Sequence, residues 1–122
     1  MVEFAIVATF FALILLGILE AGLAAWQKNS VAADAREGAR YASVHGNRSG
    51  SPATVATIGT YVKSQTTLQR TGPDTIRVYA VWPTDKETGS FVWVSVAHNV
   101  PRRGPFIPAH VDSATSKMVI LY

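Results

Sequence analysis

The sequence predicts an α+β chain: a long N-terminal hydrophobic α-helix carrying a small head of one short helix and a three-stranded antiparallel sheet. Three observations predict it. An apolar run opens the chain and passes, with no turn cluster, into helix-forming sequence as far as Val44. Two later segments alternate apolar and polar residues and are rich in β-branched and aromatic types, the pattern of half-buried strands. A third apolar segment closes the chain. With 122 residues in all, there is room for one domain rather than two. The organisation reads as a helix over 1–46 and a head over 47–122.

The run comes first. Phe4 to Leu19 is sixteen residues without a charge, and eleven of them are Phe, Ile, Val or Leu. Each favours a bilayer by about 0.3–0.6 kcal/mol near its centre, roughly 3–7 kcal/mol together, against about 3 kcal/mol for one central acidic residue. Glu20 lies beyond the run, nearer an interface, and costs less. Insertion wins. As a helix, Phe4 to Trp26 spans about 34 Å, the thickness of a bilayer core. Trp26, Gln27 and Lys28 make an interfacial end. Counting Lys28, Arg36 and Arg40 on one side and no base before the run, the positive-inside rule alone would put the head in the cytoplasm. Nothing basic precedes the run, so it does not read as an ordinary secretory signal.

The helix continues through "QKNSVAADAREGARYASVHG", where Ala, Arg, Glu and Lys favour helix. Leu23, Trp26, Ala33, Tyr41 and Val44 fall near one face and predict the packing stripe, with Ser30 and Glu37 as interruptions. Glu37 can reach Arg40 and Tyr41 along the helix. Small residues recur at Ala24, Ala25, Ala32, Ala33, Ala35, Gly38, Ala39 and Ala42, which suits close neighbours. The stop is "HGNRSGSP". One helix from Glu3 to Val44 would be about 60 Å long.

In the head, Ser51 and Pro52 read as N-cap and first residue of a short helix ending near Gln69. "TGPD" is a turn. "TIRVYAVW" and "SFVWVSVAHNV" are strands joined by the polar loop "PTDKETG", and "TSKMVILY" is the last strand. "PRRGPFIPAH" has three prolines and is an irregular connection. Alternation groups Trp82 with Ile76 and Val78, and Trp93 with Phe91. A sheet this small needs a helix across one face, and the outer half of the long helix is the natural cover.

Composition excludes several classes. The net charge is +3, from 11 basic and 8 acidic residues, and the excess is scattered. Nucleic-acid binding calls for a basic face interleaved with aromatics, which is missing. There is no cysteine, hence no disulfide and no thiolate ligand. His45, His98 and His110 lack the spacing of a zinc site and read as surface or loop residues without nearby carboxylates. No nucleophile elbow or phosphate-binding loop is present. No catalytic residue, cofactor or metal ligand is assigned. Asp85, Lys86 and Glu87 read as a solvated loop, and Asn47-Arg48-Ser49 fits a glycosylation sequon.

Three features together carry a resemblance. Val2-Glu3-Phe4-Ala5 opens the run; Gly17, Glu20 and Gly22 stand at its far end; Ala35-Arg36-Glu37-Gly38-Ala39-Arg40-Tyr41-Ala42 follows. In them the chain resembles the TadE-like pilins of tight-adherence (Tad/Flp) systems, a branch of the type IV pilus superfamily. The resemblance covers about residues 1–45. It implies a structural subunit that resides in the inner membrane and then polymerises into an extracellular filament, its helix becoming the filament core. It also implies a precursor whose basic leader is cut after a glycine by a prepilin peptidase. The family has a glutamate at the fifth mature position; here it is the third residue, so a mature form starting about two residues earlier is expected. Implied partners are further copies of the chain, other pilins, the peptidase, an inner-membrane assembly platform and, before assembly, the lipid bilayer. Implied assembly residues are Glu3, Phe4, Phe10, Phe11, Leu16, Leu19 and Glu20. In a helix bundle Glu3 would lie near a neighbour's terminal ammonium, where an ion pair sets register better than it adds stability. The alternatives are a minor pilin or pseudopilin, or a single-pass membrane protein whose head binds a partner.

Overall fold

The computed structural model describes residues 2–68, 76–102 and 108–122. It has the expected α+β architecture. Helix α1 runs from Val2 to Val44 without a break, α2 spans Val55–Gln65, and strands β1 (Ile76–Val81), β2 (Phe91–Val100) and β3 (His110–Val119) form an antiparallel sheet in the order β1-β2-β3. The predicted "TGPD" turn and much of the proline-rich connection lie outside the described residues, and α2 ends at Gln65, short of the expected Gln69, where Thr66 turns to an extended conformation.

The C-terminal half of α1 crosses the inner face of the sheet. Val92, Val94 and Val96 alternate onto that face and are fully buried, with Ile76, Ile58, Val62 and Ile120 completing the core. Trp82, Val78 and Ala80 pack at its margin, as alternation predicts. The face of α1 that meets the sheet differs from the expected stripe. Leu23, Trp26 and Ala33 are exposed, and the buried residues are Gln27, Ser30, Val31, Asp34, Ala35, Gly38, Ala39, Ala42 and Ser43. Side-chain size explains the difference. A methyl group on Gly38 would sit 2.9 Å from Val62 Cγ2 and 3.1 Å from Val94 Cγ1. The backbone of α1 is thus pressed against both α2 and the sheet, and only small residues permit it.

The short helix starts three residues later than Ser51-Pro52 suggests. Ala53 N–H donates to the His45 carbonyl at 2.7 Å, which pins the 52–53 segment to the end of α1 in a non-helical path. Thr54 is the N-cap. Its hydroxyl accepts from Thr57 N–H, and Thr57 Oγ1 accepts from Thr54 N–H, a reciprocal capping box. The last strand starts earlier than "TSKMVILY", because His110–Ala114 pairs residue by residue with Val96–Val100. It also ends earlier. Ile120 turns into the core, and Leu121 N–H donates to the Ser43 carbonyl at 2.8 Å, satisfying an orphan group at the end of α1. Gly46 is required here, since a Cβ would fall 1.8 Å from the Tyr122 carbonyl oxygen.

Gly38→Val adds two methyl groups and a β-branch where no room exists. It is expected to lower the stability of the head by about 1–3 kcal/mol through overpacking. The midpoint of urea unfolding of the full chain in detergent, followed by tryptophan fluorescence, checks this.

Candidate functional site

Residues 2–19 of α1 are exposed all round, and no part of the chain's own described fold covers them. From Val2 to Trp26 fourteen large apolar side chains are between 45% and 79% exposed. Transferring them out of water is worth on the order of 10–30 kcal/mol, at about 1.5–3 kcal/mol for each fully buried side chain. That matches or exceeds the whole stability of an ordinary domain, about 5–15 kcal/mol. A helix apolar on every side belongs in lipid or among other helices. α1 is long and apolar enough to cross a membrane.

The residues singled out for assembly all lie on this segment. Phe4, Phe10, Phe11, Leu16 and Leu19 are exposed, at 79%, 65%, 61%, 51% and 63%. Phe4 and Phe11 share one side, Glu3 and Phe10 another, at seven-residue spacing, while Leu16 and Leu19 point elsewhere. The fold does not gather them; it displays them around a cylinder. Glu3 is exposed at the first turn, where the helix dipole favours its charge. Glu20 is the first residue of α1 that is partly sheltered, and Ala24 and Gln27 follow it on the face that leads into the head.

A second group of residues was not legible in the sequence. Asp34, His98 and Asp112 are 9%, 1% and 7% exposed. Thr66 Oγ1, at the C-cap of α2, donates to Asp34 Oδ2 at 2.5 Å. His98 and Asp112 are cross-strand partners, and His110 Nε2 stands 3.4 Å from Asp112 Oδ2. One polar cluster thus joins α1, α2, β2 and β3. His98 is a core residue, not the surface or loop histidine its isolation suggests, and carboxylates do stand near the histidines. Burial pushes the Asp34 carboxyl above its usual range, opposed by the Thr66 hydrogen bond and the field of His98. Among the described residues, no group of three or more His, Asp or Glu side chains is arranged to hold a metal.

Other local ties differ from the sequence picture. Glu37 accepts from Tyr61 Oη at 3.0 Å instead of pairing along its own helix, and this holds the Tyr61 hydroxyl's proton, raising its pKa. Tyr41 stacks between His45 and Tyr61, with ring centroids 4.1 and 4.5 Å away. Lys86 is not merely a solvated loop residue: Nζ donates to the Ala53 carbonyl at 2.8 Å and sits 4.2 Å above the Trp82 ring. Asn47 is exposed beside it, with Nδ2 3.5 Å from Glu87 Oε1. On the outer sheet face Tyr79, Phe91 and Trp93 are about half exposed, and Lys117 Nζ lies 3.8 Å from the Phe91 ring.

One uncovered apolar helix, followed without a linker by a small α+β head, fits a membrane-associated protein. Residues 1–40 match the family model described as TadE-like protein, so the segment that carries the resemblance in the sequence is also the segment matched. That family is pilus-associated and structural, and the match together with the apolar helix fits a Tad pilus-related membrane protein. No curated protein and no solved structure matches the chain.

The pKa of Asp34 has a testable sign. The folded state holds the proton more tightly than the unfolded chain, whose carboxyl titrates near 3.8. Folding is therefore unpenalised below that pH, and stability falls as pH rises from there through the raised folded value. Asp34→Asn keeps an acceptor for Thr66 and removes the charge. It is expected to flatten this slope and to stabilise the head at neutral pH, as measured by urea unfolding midpoints across pH 3–8. An unchanged slope would assign the pH dependence to other groups.

Proposed function

We propose that the chain is a non-catalytic pilin subunit of a Tad-type surface filament, held in the inner membrane by its apolar helix before assembly and polymerised through the same helix afterwards. The observation that carries this is the fully uncovered segment 2–19, apolar on every side. Lipid satisfies it before assembly and the helices of other copies satisfy it after, so the transfer between the two costs little hydrophobic free energy. Glu3 supplies the direction. In lipid it is tolerated near the end of the span; in a bundle it meets a neighbour's terminal ammonium and fixes the axial step. The other pilins, prepilin peptidase and assembly platform of such systems are its partners in this reading, and the filament surface is formed by the heads.

A second reading is supported by the outer face of the sheet. Tyr79, Val81, Phe91 and Trp93 form an apolar area there that α1 does not cover. A minor pilin or a single-pass membrane protein with a partner-binding head would use such a face. Glu3 separates the readings. Glu3→Ala is expected to leave membrane insertion unchanged, judged by carbonate-resistant membrane fractionation, and to reduce sheared filament yield severely. Equal filament yield from the variant would remove Glu3 from assembly and favour the second reading.

A further inference from the structure

The charges of α1 are segregated along its length. In the first 26 residues the only ionisable side chains are Glu3 and Glu20. Further along, the exposed face carries Lys28, Arg36 and Arg40. Its neighbouring acids are otherwise engaged. Asp34 is buried against Thr66, and Glu37 accepts from Tyr61. Among the described residues the ion pairs are Arg48–Glu87 and His110–Asp112, so neither the three bases nor Glu20 has an own-chain partner of opposite charge.

We infer that Glu20 docks on Lys28 of a second copy, lying parallel and displaced along the helix axis. This rests on the self-assembly proposed above and adds to it a contact that no own-chain feature supplies. Parallel packing follows from insertion, since copies in one membrane carry their heads on the same side. Packing in register would set Glu20 against Glu20 in a medium of low dielectric, where like charges repel strongly. Displacement replaces that repulsion with attraction. Moving one copy up by 8, 16 or 20 residues brings its Glu20 level with Lys28, Arg36 or Arg40, shifts of about 12, 24 and 30 Å. Apolar overlap decides among them. Of the segment 2–26, about 17 residues remain beside the neighbour's apolar segment at the first shift, against about 9 and 5 at the others. Lys28 keeps the most apolar contact and is the choice.

Glu20 and Lys28 also lie on different sides of the helix, Glu20 in line with Ala24 and Gln27 under the head and Lys28 on the open face. The contact is therefore heterologous: one patch meets a different patch. Such contacts do not close on themselves as a twofold pair does; they propagate as a helical array.

The chain has no cysteine, so engineered cysteines report register directly. Two differently tagged full-length copies are co-expressed in membranes, one Leu13→Cys and the other Ala21→Cys, positions seven residues before Glu20 and Lys28 and hence on the same contacting faces, and oxidised. The 13–21 disulfide is expected to exceed the in-register 13–13 disulfide of a Leu13→Cys pair several-fold. Glu20→Lys on the first copy should suppress it, and Lys28→Glu on the second should restore it. Glu20→Gln, which removes charge without reversing it, should weaken it to an intermediate level. Co-purification of the two tags with a dominant 13–13 disulfide, or a 13–21 disulfide indifferent to both charge reversals, would overturn this contact and leave self-assembly standing. Tags that do not co-purify would overturn both.

Discussion

The rest of the structure depends on one constraint: residues 2–19 of α1 present apolar side chains in every direction, and the described fold of their own chain covers none of them. The free energy at stake is comparable with the net stability of a whole domain. The head therefore attaches only to the C-terminal half of the helix, and the chain is divided into a part that folds on itself and a part that requires another medium. The two parts share one unbroken helix, so whatever receives the apolar half also positions the head.

The head is held to α1 by closeness rather than by bulk. Ala35, Gly38, Ala39 and Ala42 bring the helix backbone against a row of valines from β2, with Ile58 and Val62 of α2 wedged alongside. Backbone hydrogen bonds from Leu121 to Ser43 and from Ala53 to His45 then tie both later parts of the chain to the end of α1. The membrane-proximal end of the interface is different in kind. There Gln27, Ser30, Asp34, His98 and Asp112 are buried polar groups. Such groups demand specific partners and define one arrangement of helix against sheet more sharply than apolar contacts do. In the proposed filament, a head fixed at one angle on its helix presents the same surface on every copy.

The long helix, the short helix and three strands were legible in the sequence because each follows from a local period or a run; alternation grouped Trp93 with Phe91 but did not tell that this pair faces outward and Val92, Val94 and Val96 inward. The packing face of α1 was not, because hydrophobicity was the wrong signal there. The face is chosen by small size, and Gly38 with its neighbouring alanines marks it better than Leu23 or Trp26 does. Thr54 displaced Ser51 as the N-cap because Ala53 N–H donates to the His45 carbonyl, a tie made only once the chain folds back on the end of α1. The early start of β3 was hidden by its polar residues, which are carried into the ladder by pairing with an equally long β2. His98 looked isolated because its neighbours Asp34 and Asp112 come from other elements. Of the residues proposed for assembly, the sequence showed the apolar run and its two glutamates; their disposition around an uncovered cylinder required the fold of the head to be known.

The most direct test of whether α1 passes from bilayer to bundle, as proposed, is helical reconstruction by cryo-electron microscopy of filaments sheared from the producing cells. If the apolar half of α1 is the assembly element, this chain occupies the subunits, residues 2–26 lie in a central bundle, Glu3 is buried beside a neighbour's terminus, and the heads form the outer surface. Filaments built wholly from another chain, with this one left in the membrane fraction, would contradict that assignment.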